Sequence, residues 1–113
     1  MVTKELILSP DSDPQSPKYF MWRLDEPEID TLRRAIGKAE DRFPLLATLT
    51  DLYEDFECKG ARLVGLAEET LGLELTLEEH QLDRPRLIKL LNLIGGLAAL
   101  AHDQQLGFFG YAE

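Results

Sequence analysis

The prediction of the fold starts from the apolar stretch LIKLLNLIGGLAALAHDQQ, residues 87–105. Between Leu87 and Ala101 only Lys89 and Asn92 carry polar side chains. A bilayer span needs about 20 mostly apolar residues, so this run is too short to cross a membrane. We therefore expect a helix that is buried within the protein or against another chain.

The predicted helix follows Asp83, a suitable N-cap, and covers about residues 84–103. Its apolar side chains occupy roughly two thirds of the circumference, which is more than a single neighbouring helix can bury. Two arrangements would bury such a wide apolar surface. Either the helix runs through the centre of a bundle, or its face at Ile88, Gly95 and Ala99 packs against a second copy of the chain. The second arrangement predicts a homodimer.

An amphipathic helix is also predicted nearer the start of the chain, over about residues 26–40. Asp25 is its expected N-cap, and Glu26 and Pro27 suit the first turn of a helix. Pro44 ends this periodicity, because proline lacks an amide hydrogen and disfavours helix in the residue before it.

The segment at residues 44–58 has the clearest helical period. At 100° per residue its apolar side chains fall on one side of a helix, and three acids fall on the other: Asp51, Glu54 and Asp55. A further helix is predicted over residues 61–72. Whether it continues the preceding helix stays open, because Gly60 weakens a helix by about 1 kcal/mol without forbidding it.

Two aromatic segments have the character of strands. In YFMWRL, residues 19–24, successive side chains alternate in the way expected of a half-buried strand. LGFFGY, residues 106–111, either pairs with it in a short β element or docks as an irregular tail. Residues 9–18 hold three prolines and three serines and are expected to form a loop or arm after ELIL, which is another short candidate strand.

These elements predict one mainly α domain over residues 1–113: a small bundle of three to five helices, with the short β element beside it. Cys58 is the only cysteine, so an intramolecular disulfide is excluded. The first apolar run, residues 6–8, is too short for a secretory signal. Both features favour a cytoplasmic protein.

The net charge of −9 is distributed unevenly. Residues 43–83 carry ten acids and two bases, net −8, whereas residues 1–42 are net −2 and residues 84–113 are net +1. Affinity for nucleic acid comes largely from Lys and Arg that neutralise phosphates, so binding to nucleic acid or to an anionic membrane surface is disfavoured. This charge favours a basic protein partner, although acids also simply keep small proteins soluble.

Neither the histidines nor the cysteine has a motif typical of catalysis or metal binding. His80 and His102 lie in no HExxH, ExxH or CxxC spacing. Cys58 stands between Glu57 and Lys59, where nothing orients a base towards the thiol. A structural role is favoured for His102 and Cys58, and we expect no metal and no cofactor.

One enzymatic alternative follows from the acidic side chains. Small all-α enzymes that cleave nucleoside triphosphates hold magnesium with carboxylates at i, i+3 and i+4 on two helices. Acids with suitable spacing are Asp51, Glu54 and Asp55, with Glu68 and Glu69 on a second helix. Glu54-x-x-Glu57 resembles the first motif of the all-α NTP pyrophosphohydrolases, but His80 stands where their second motif, ExxD, would begin before Asp83. Exposed acids at helical spacing are usually a solvated face, so this is the weaker alternative.

The sequence therefore predicts a non-catalytic, acidic protein-interaction module. Its partner-binding face is formed by Asp51, Glu54 and Asp55, with Tyr53 and Phe56 along the edge if they are not buried. Such a module suits an inhibitor or immunity-type protein that neutralises a basic toxin. The same features suit an adaptor or regulatory homodimer without a charged partner.

Overall fold

The structure is a computed structural model that describes residues 2–112. It has an α+β fold, in which four helices accompany a four-stranded antiparallel sheet. The elements in chain order are β1 (Thr3–Ser9), β2 (Phe20–Asp25), α1 (Glu26–Ile36), α2 (Pro44–Leu49), β3 (Phe56–Cys58), α3 (Ala61–Leu75), α4 (Arg84–Asp103) and β4 (Gly107–Ala112). The mainly α bundle predicted from the sequence is therefore wrong.

The sheet has the strand order β2-β1-β4-β3, with every neighbouring pair antiparallel. The first strand thus lies in the centre and pairs with the last, so that Lys4 stands opposite Ala112. The segments predicted as strands at residues 19–24 and 106–111 correspond to β2 and β4, each displaced by one residue. Neither alternative for the second segment is right: it is not an irregular tail, and it pairs with β1 and β3 and not with β2. Strand β1 contains ELIL and is buried along most of its length.

Side chains alternate between the two faces of the sheet. On the inner face Leu6, Leu8 and Phe108 join the main hydrophobic core together with the helices. On the outer face Ile7 and Phe109 are also buried. The connection after β1, residues 10–18, runs along that outer face and borders a cavity of about 330 Å³ beside Ile7.

The prediction of one helix over residues 44–58 departs furthest from the local structure. Helix α2 ends at Leu49, a loop follows, and residues 56–58 form an edge strand. In that strand Phe56 and Cys58 alternate into the core while Glu57 points to solvent. The helices on either side of Gly60 are therefore not continuous. The apolar residues after Leu49 happen to be spaced as in a helix, but residues 56–58 pair with β4 and adopt a strand instead.

Helix ends were predicted better than the fold class. Asp25 caps α1 as expected, and its backbone N–H also donates to the carboxylate of Glu28 in a capping box. Helix α1 ends before Gly37, whose φ of 55° suits glycine, rather than near residue 40. Helix α3 passes through Gly72 to Leu75 instead of stopping at 72.

Helix α4 has the predicted bounds and lies in the core, packed against α3 and β4. Asp83 precedes it as expected but makes no side-chain hydrogen bond to the helix. A Cβ atom added at Gly95 would lie 2.6 Å from Oγ1 of Thr70 in α3, so the glycine permits the close approach of the two helices. Much of the wide apolar surface predicted for this segment is thus covered within the chain. Among residues 2–112 no helix is long and apolar enough to span a bilayer.

Candidate functional site

The three predicted acids lie on the loop between α2 and β3, which we call the acidic loop (residues 50–55). They do not share a helical face, because the helix on which they were placed ends at Leu49. The side chains of Glu54 and Asp55 are exposed, and that of Asp51 is half-buried. The loop nevertheless keeps all three within one short segment that leads into the edge strand β3.

A buried lysine holds this loop from inside. Lys4 on β1 is fully buried, and its Nζ donates hydrogen bonds to three backbone carbonyl oxygens. The acceptors are Thr48 at 3.2 Å, Asp51 at 2.7 Å and Glu54 at 2.9 Å. An ammonium group has three N–H donors, and each of them is matched here by a carbonyl. The backbone of the acidic loop is therefore fixed from its start to Glu54.

The path of the lysine side chain depends on a glycine in the neighbouring strand. Gly110 on β4 stands opposite Leu6 of β1 and Phe56 of β3. A Cβ atom added at Gly110 would lie 3.1 Å from Cε of Lys4 and 3.2 Å from Cβ of Phe56. A side chain at this position would crowd the lysine, so Gly110 leaves the space through which Lys4 reaches the loop.

The electrostatics of Lys4 couple it to the same acids. Burial lowers the pKa of the Lys4 ammonium below its ordinary value, because desolvation disfavours the charged form. The nearby carboxylates of Asp51, Asp55 and Glu54 oppose that shift of the pKa. A buried charge is tolerated only where it is paired and hydrogen-bonded, and this loop supplies both conditions.

Further hydrogen bonds stiffen the first half of the loop. The hydroxyl of Thr50 donates to the carbonyl of Leu46, while its own carbonyl accepts from Nη1 of Arg33. The Asp51 carboxylate accepts from the backbone N–H of Tyr53 at 2.8 Å, which closes an Asx turn. The exposed side chains of the loop thus project from a backbone that is held in place.

An aromatic side chain stands at the tip of the loop. Tyr53 is 93% exposed, whereas Phe56 is buried in the core. Of the two aromatic residues predicted along the acidic face, only Tyr53 is thus available to a partner. Next to the loop, Glu57 on β3 is exposed and forms an ion pair with Lys59 at 3.0 Å. The surface is therefore acidic, with one protruding aromatic ring.

The acids considered as a second set of magnesium ligands lie elsewhere. The carboxylate of Glu69 accepts from the backbone N–H groups of Leu45 and Leu46 and so caps α2 from α3. Burial raises the pKa of Glu69, and these two N–H groups oppose the rise. Glu68 is exposed to solvent. Within residues 2–112 no group of three or more His, Cys, Asp or Glu side chains is placed to hold a metal ion.

The predicted self-association residues on α4 do not form one open patch. Gly95 packs against Thr70, Ile88 is half-buried and Ala99 is exposed. His80 and His102 are both exposed.

The single cysteine lies on the inner face of β3, in the core. Burial raises the pKa of the Cys58 thiol to about 11, which keeps it protonated and unreactive near neutral pH.

Comparisons with protein-family models, with curated proteins and with solved structures found no match. Function is therefore inferred from the geometry of the acidic loop and of the surfaces around it.

Lys4 is the positioning residue that the sequence did not reveal. A signal existed, since Lys4, Leu6 and Leu8 alternate in one strand and share its inner face. A lysine in phase with two buried leucines indicates a buried charge, which needs acceptors elsewhere in the chain. The local sequence does not indicate which groups accept these hydrogen bonds, because the nearest acceptor, the carbonyl of Thr48, is 44 residues away.

Proposed function

We propose that this protein is a non-catalytic interaction module that binds a basic protein partner through the acidic loop. The main support is the buried Lys4, whose three hydrogen bonds go to backbone carbonyls, fix the loop backbone and leave the side chains of Glu54 and Asp55 exposed. A loop that is already ordered loses less conformational entropy when a partner binds. The fold thus supports the presentation of Asp51, Glu54 and Asp55.

Charge and shape support the same proposal. A concentration of negative charge accelerates the approach of a basic protein and disfavours acidic ones. Tyr53 adds a large, rigid contact, and tyrosine is one of the residue types that most often dominate binding energy at interfaces. We propose that Tyr53 lies at the centre of the interface with the partner and that the three carboxylates form its charged periphery.

This binding mode suits an inhibitor or immunity-type protein that covers the basic active surface of a toxin. It also suits an adaptor. An inhibitor of a toxin made in the same cell would work in the cytoplasm, and we propose that location together with the inhibitor role. We propose no catalytic role for the acids.

A pull-down from the host with the tagged chain, followed by mass spectrometry, tests the proposal. The informative variant neutralises the loop through Asp51→Asn, Glu54→Gln and Asp55→Asn. The matched control removes the same number of charges from exposed sites elsewhere, through Glu68→Gln, Glu78→Gln and Glu79→Gln. The Asp51→Asn substitution keeps a side-chain oxygen as the acceptor of the Asx turn. Because the three carboxylates also favour the charged form of the buried Lys4, circular dichroism and urea denaturation check that the loop variant stays folded.

We expect a basic protein to be captured by the wild type and by the control, and to be lost by the loop variant. Measured affinity should fall by at least about 30-fold in the loop variant and in Tyr53→Ala, which corresponds to about 2 kcal/mol. Binding should also weaken as salt is raised, because exposed charges are screened within about 10 Å at 0.1 M. Equal loss in the loop variant and the control would contradict a specific loop site.

A further inference from the structure

A second surface lies at the opposite edge of the sheet from the acidic loop. Strand β2 forms that edge and is paired on one side, with β1. Its aromatic and sulfur side chains are accessible to solvent: Tyr19, just before the strand, is 65% exposed, Met21 53% and Trp22 43%. Because side chains alternate along a strand, Met21 lies on the outer face and Trp22 on the inner face. Apolar surface therefore flanks the free edge on both sides.

The two edges of the sheet differ in how they are protected against pairing with another strand. Edge strands are usually kept apart by shortness, charged side chains, prolines or bulges. Strand β3 has only three residues, and Glu57 and Lys59 stand at its exposed side. Strand β2 is six residues long, and its two charged residues both have partners within the chain: Arg23 forms an ion pair with Glu5 of β1, and Asp25 caps α1. The β2 edge is the less protected one.

Helix α4 borders the same edge and leaves space beside it. A cavity of about 630 Å³ lies between Trp22 and the first half of α4, where Lys89 and Leu93 line it. A second cavity, of about 450 Å³, lies towards the helix end, between Phe20 and Leu100. Both lie on the inner side of β2, and we call the two together the β2 groove. Its apolar lining residues include Trp22, Leu93, Phe20 and Leu100, and charged side chains line the part beside Trp22.

The charge around this groove differs from that of the rest of the chain. The charged residues that line it are Glu28 of α1 and Arg86 and Lys89 of α4, so both signs of charge meet beside Trp22. In a two-fold arrangement this set of charges faces itself, and an acid of one copy can pair with a base of the other. The β2 edge therefore lacks the concentrated negative charge found elsewhere in the chain, which would repel a second copy.

We propose that a second copy of this chain docks on the β2 edge. The two β2 strands pair antiparallel about a two-fold axis and join the sheets into one of eight strands. Trp22 and Met21 of each copy are buried on the two faces of the joint, and Leu93 and Leu100 close the groove. The contact uses a different flank of α4 from Gly95, which already packs against Thr70.

This arrangement also separates the like charges. The acidic loops lie beside β3, at the far edge of each sheet, so that pairing through β2 places them at the two ends of the dimer. Each loop stays free for a partner. Dimer formation does not depend on the proposed function, and either one stands if the other fails.

Light scattering on the purified full chain, over low to high micromolar concentrations, tests the inference. We expect twice the monomer mass of 12.8 kDa for the wild type and the monomer mass for Met21→Lys. Met21 is exposed on the outer face, so a lysine there leaves the fold intact, which circular dichroism checks. The matched control is Leu82→Lys, since Leu82 is 97% exposed on the turn before α4, outside the β2 edge, and it should remain a dimer.

A second variant and a second measurement identify the surface. Ala99→Lys lies on the α4 face predicted from the sequence and should leave the dimer unchanged. Amide hydrogen exchange should show protection of residues 20–25 that increases with protein concentration. A monomeric wild type at high micromolar concentration would overturn the inference. So would a dimer that survives Met21→Lys or dissociates with Ala99→Lys.

Discussion

A single buried ammonium group sets the position of the acidic side chains in this fold. Lys4 passes beside Gly110 to three carbonyl oxygens and makes the acidic loop part of the packed structure. The arrangement reverses the usual relation between a lysine and acidic residues. Backbone carbonyls of α2 and of the loop bind the cation, and no carboxylate is needed to do so. The exposed carboxylates of Glu54 and Asp55 remain accessible to a partner.

Replacing this lysine should damage both stability and binding. In Lys4→Met the stem still fills the core, but three carbonyl oxygens lose their donor. A buried unsatisfied acceptor costs about 1–3 kcal/mol, partly offset because no charge is buried, so we expect a loss of about 3 kcal/mol in the free energy of unfolding. Urea denaturation measures the change.

The control for this variant is Lys38→Met, an exposed lysine whose replacement should stay within about 0.5 kcal/mol of the wild type. A Lys4→Met protein as stable as the Lys38→Met protein would show that the three hydrogen bonds contribute little.

At the scale of elements, α2 depends on a cap supplied by another helix. Its N-cap residue Phe43 makes no side-chain hydrogen bond to the helix, and the Glu69 carboxylate takes that role from α3. The position of α2 fixes where the acidic loop begins. Glu69 therefore connects the helical layer to the candidate site.

Removing that cap should cost about as much as the loss of an ordinary N-cap. We expect Glu69→Ala to lower the free energy of unfolding by about 1–2 kcal/mol, because two N–H groups at the start of α2 lose their acceptor. The adjacent Glu68→Ala removes the same charge from an exposed site and should change stability by less than about 0.5 kcal/mol. Chemical denaturation of the two variants side by side measures the difference, and equal values would refute the capping role.

The elements that the sequence revealed are those whose signals are local. Helix α4 was predicted with its observed bounds because a long apolar run follows a proline at the helix start. Asp25 was recognised as a cap from its immediate neighbours. The prediction for the segment after Leu49 is wrong because strand β3 is stabilised by pairing with β4, about fifty residues later in the chain. Short strands of this kind are specified by tertiary contacts and not by propensity.

In the candidate site, too, local features could be predicted from the sequence and long-range contacts could not. Composition and charge, which are visible in the sequence, single out Asp51, Glu54 and Asp55. The helical period predicts the wrong geometry for them, and it gives no indication of Lys4, whose side chain positions their loop. The dependence of the loop on Lys4 connects parts of the chain 44 to 50 residues apart. No local pattern encodes such a contact.

At the scale of the whole molecule, the charge of −9 affects the folded state itself. The acids crowd into the middle third of the sequence, and the compact state brings them closer together than the unfolded chain does. We expect the melting temperature at fixed protein concentration to rise by about 4 °C between low salt and about 0.15 M salt, equivalent to roughly 1 kcal/mol of relieved repulsion. Differential scanning calorimetry checks this rise.

The variant that removes three exposed charges, through Glu68→Gln, Glu78→Gln and Glu79→Gln, serves as the control for this effect. It has less repulsion to relieve, so its salt-dependent rise in melting temperature should be smaller than that of the wild type. A wild-type melting temperature that does not respond to salt would show that repulsion among these acids is negligible.

The central pairing of β1 with β4 also governs the order in which the structure can assemble. Lys4 and Ala112 are paired although they are 108 positions apart in the chain. During synthesis β1 can form a hairpin with β2 early, but its other edge stays open until β4 leaves the ribosome. Closing so long a loop is slow compared with forming local helices. We therefore expect one edge of β1, with its leucines, to stay exposed in the nascent chain until β4 has paired with it.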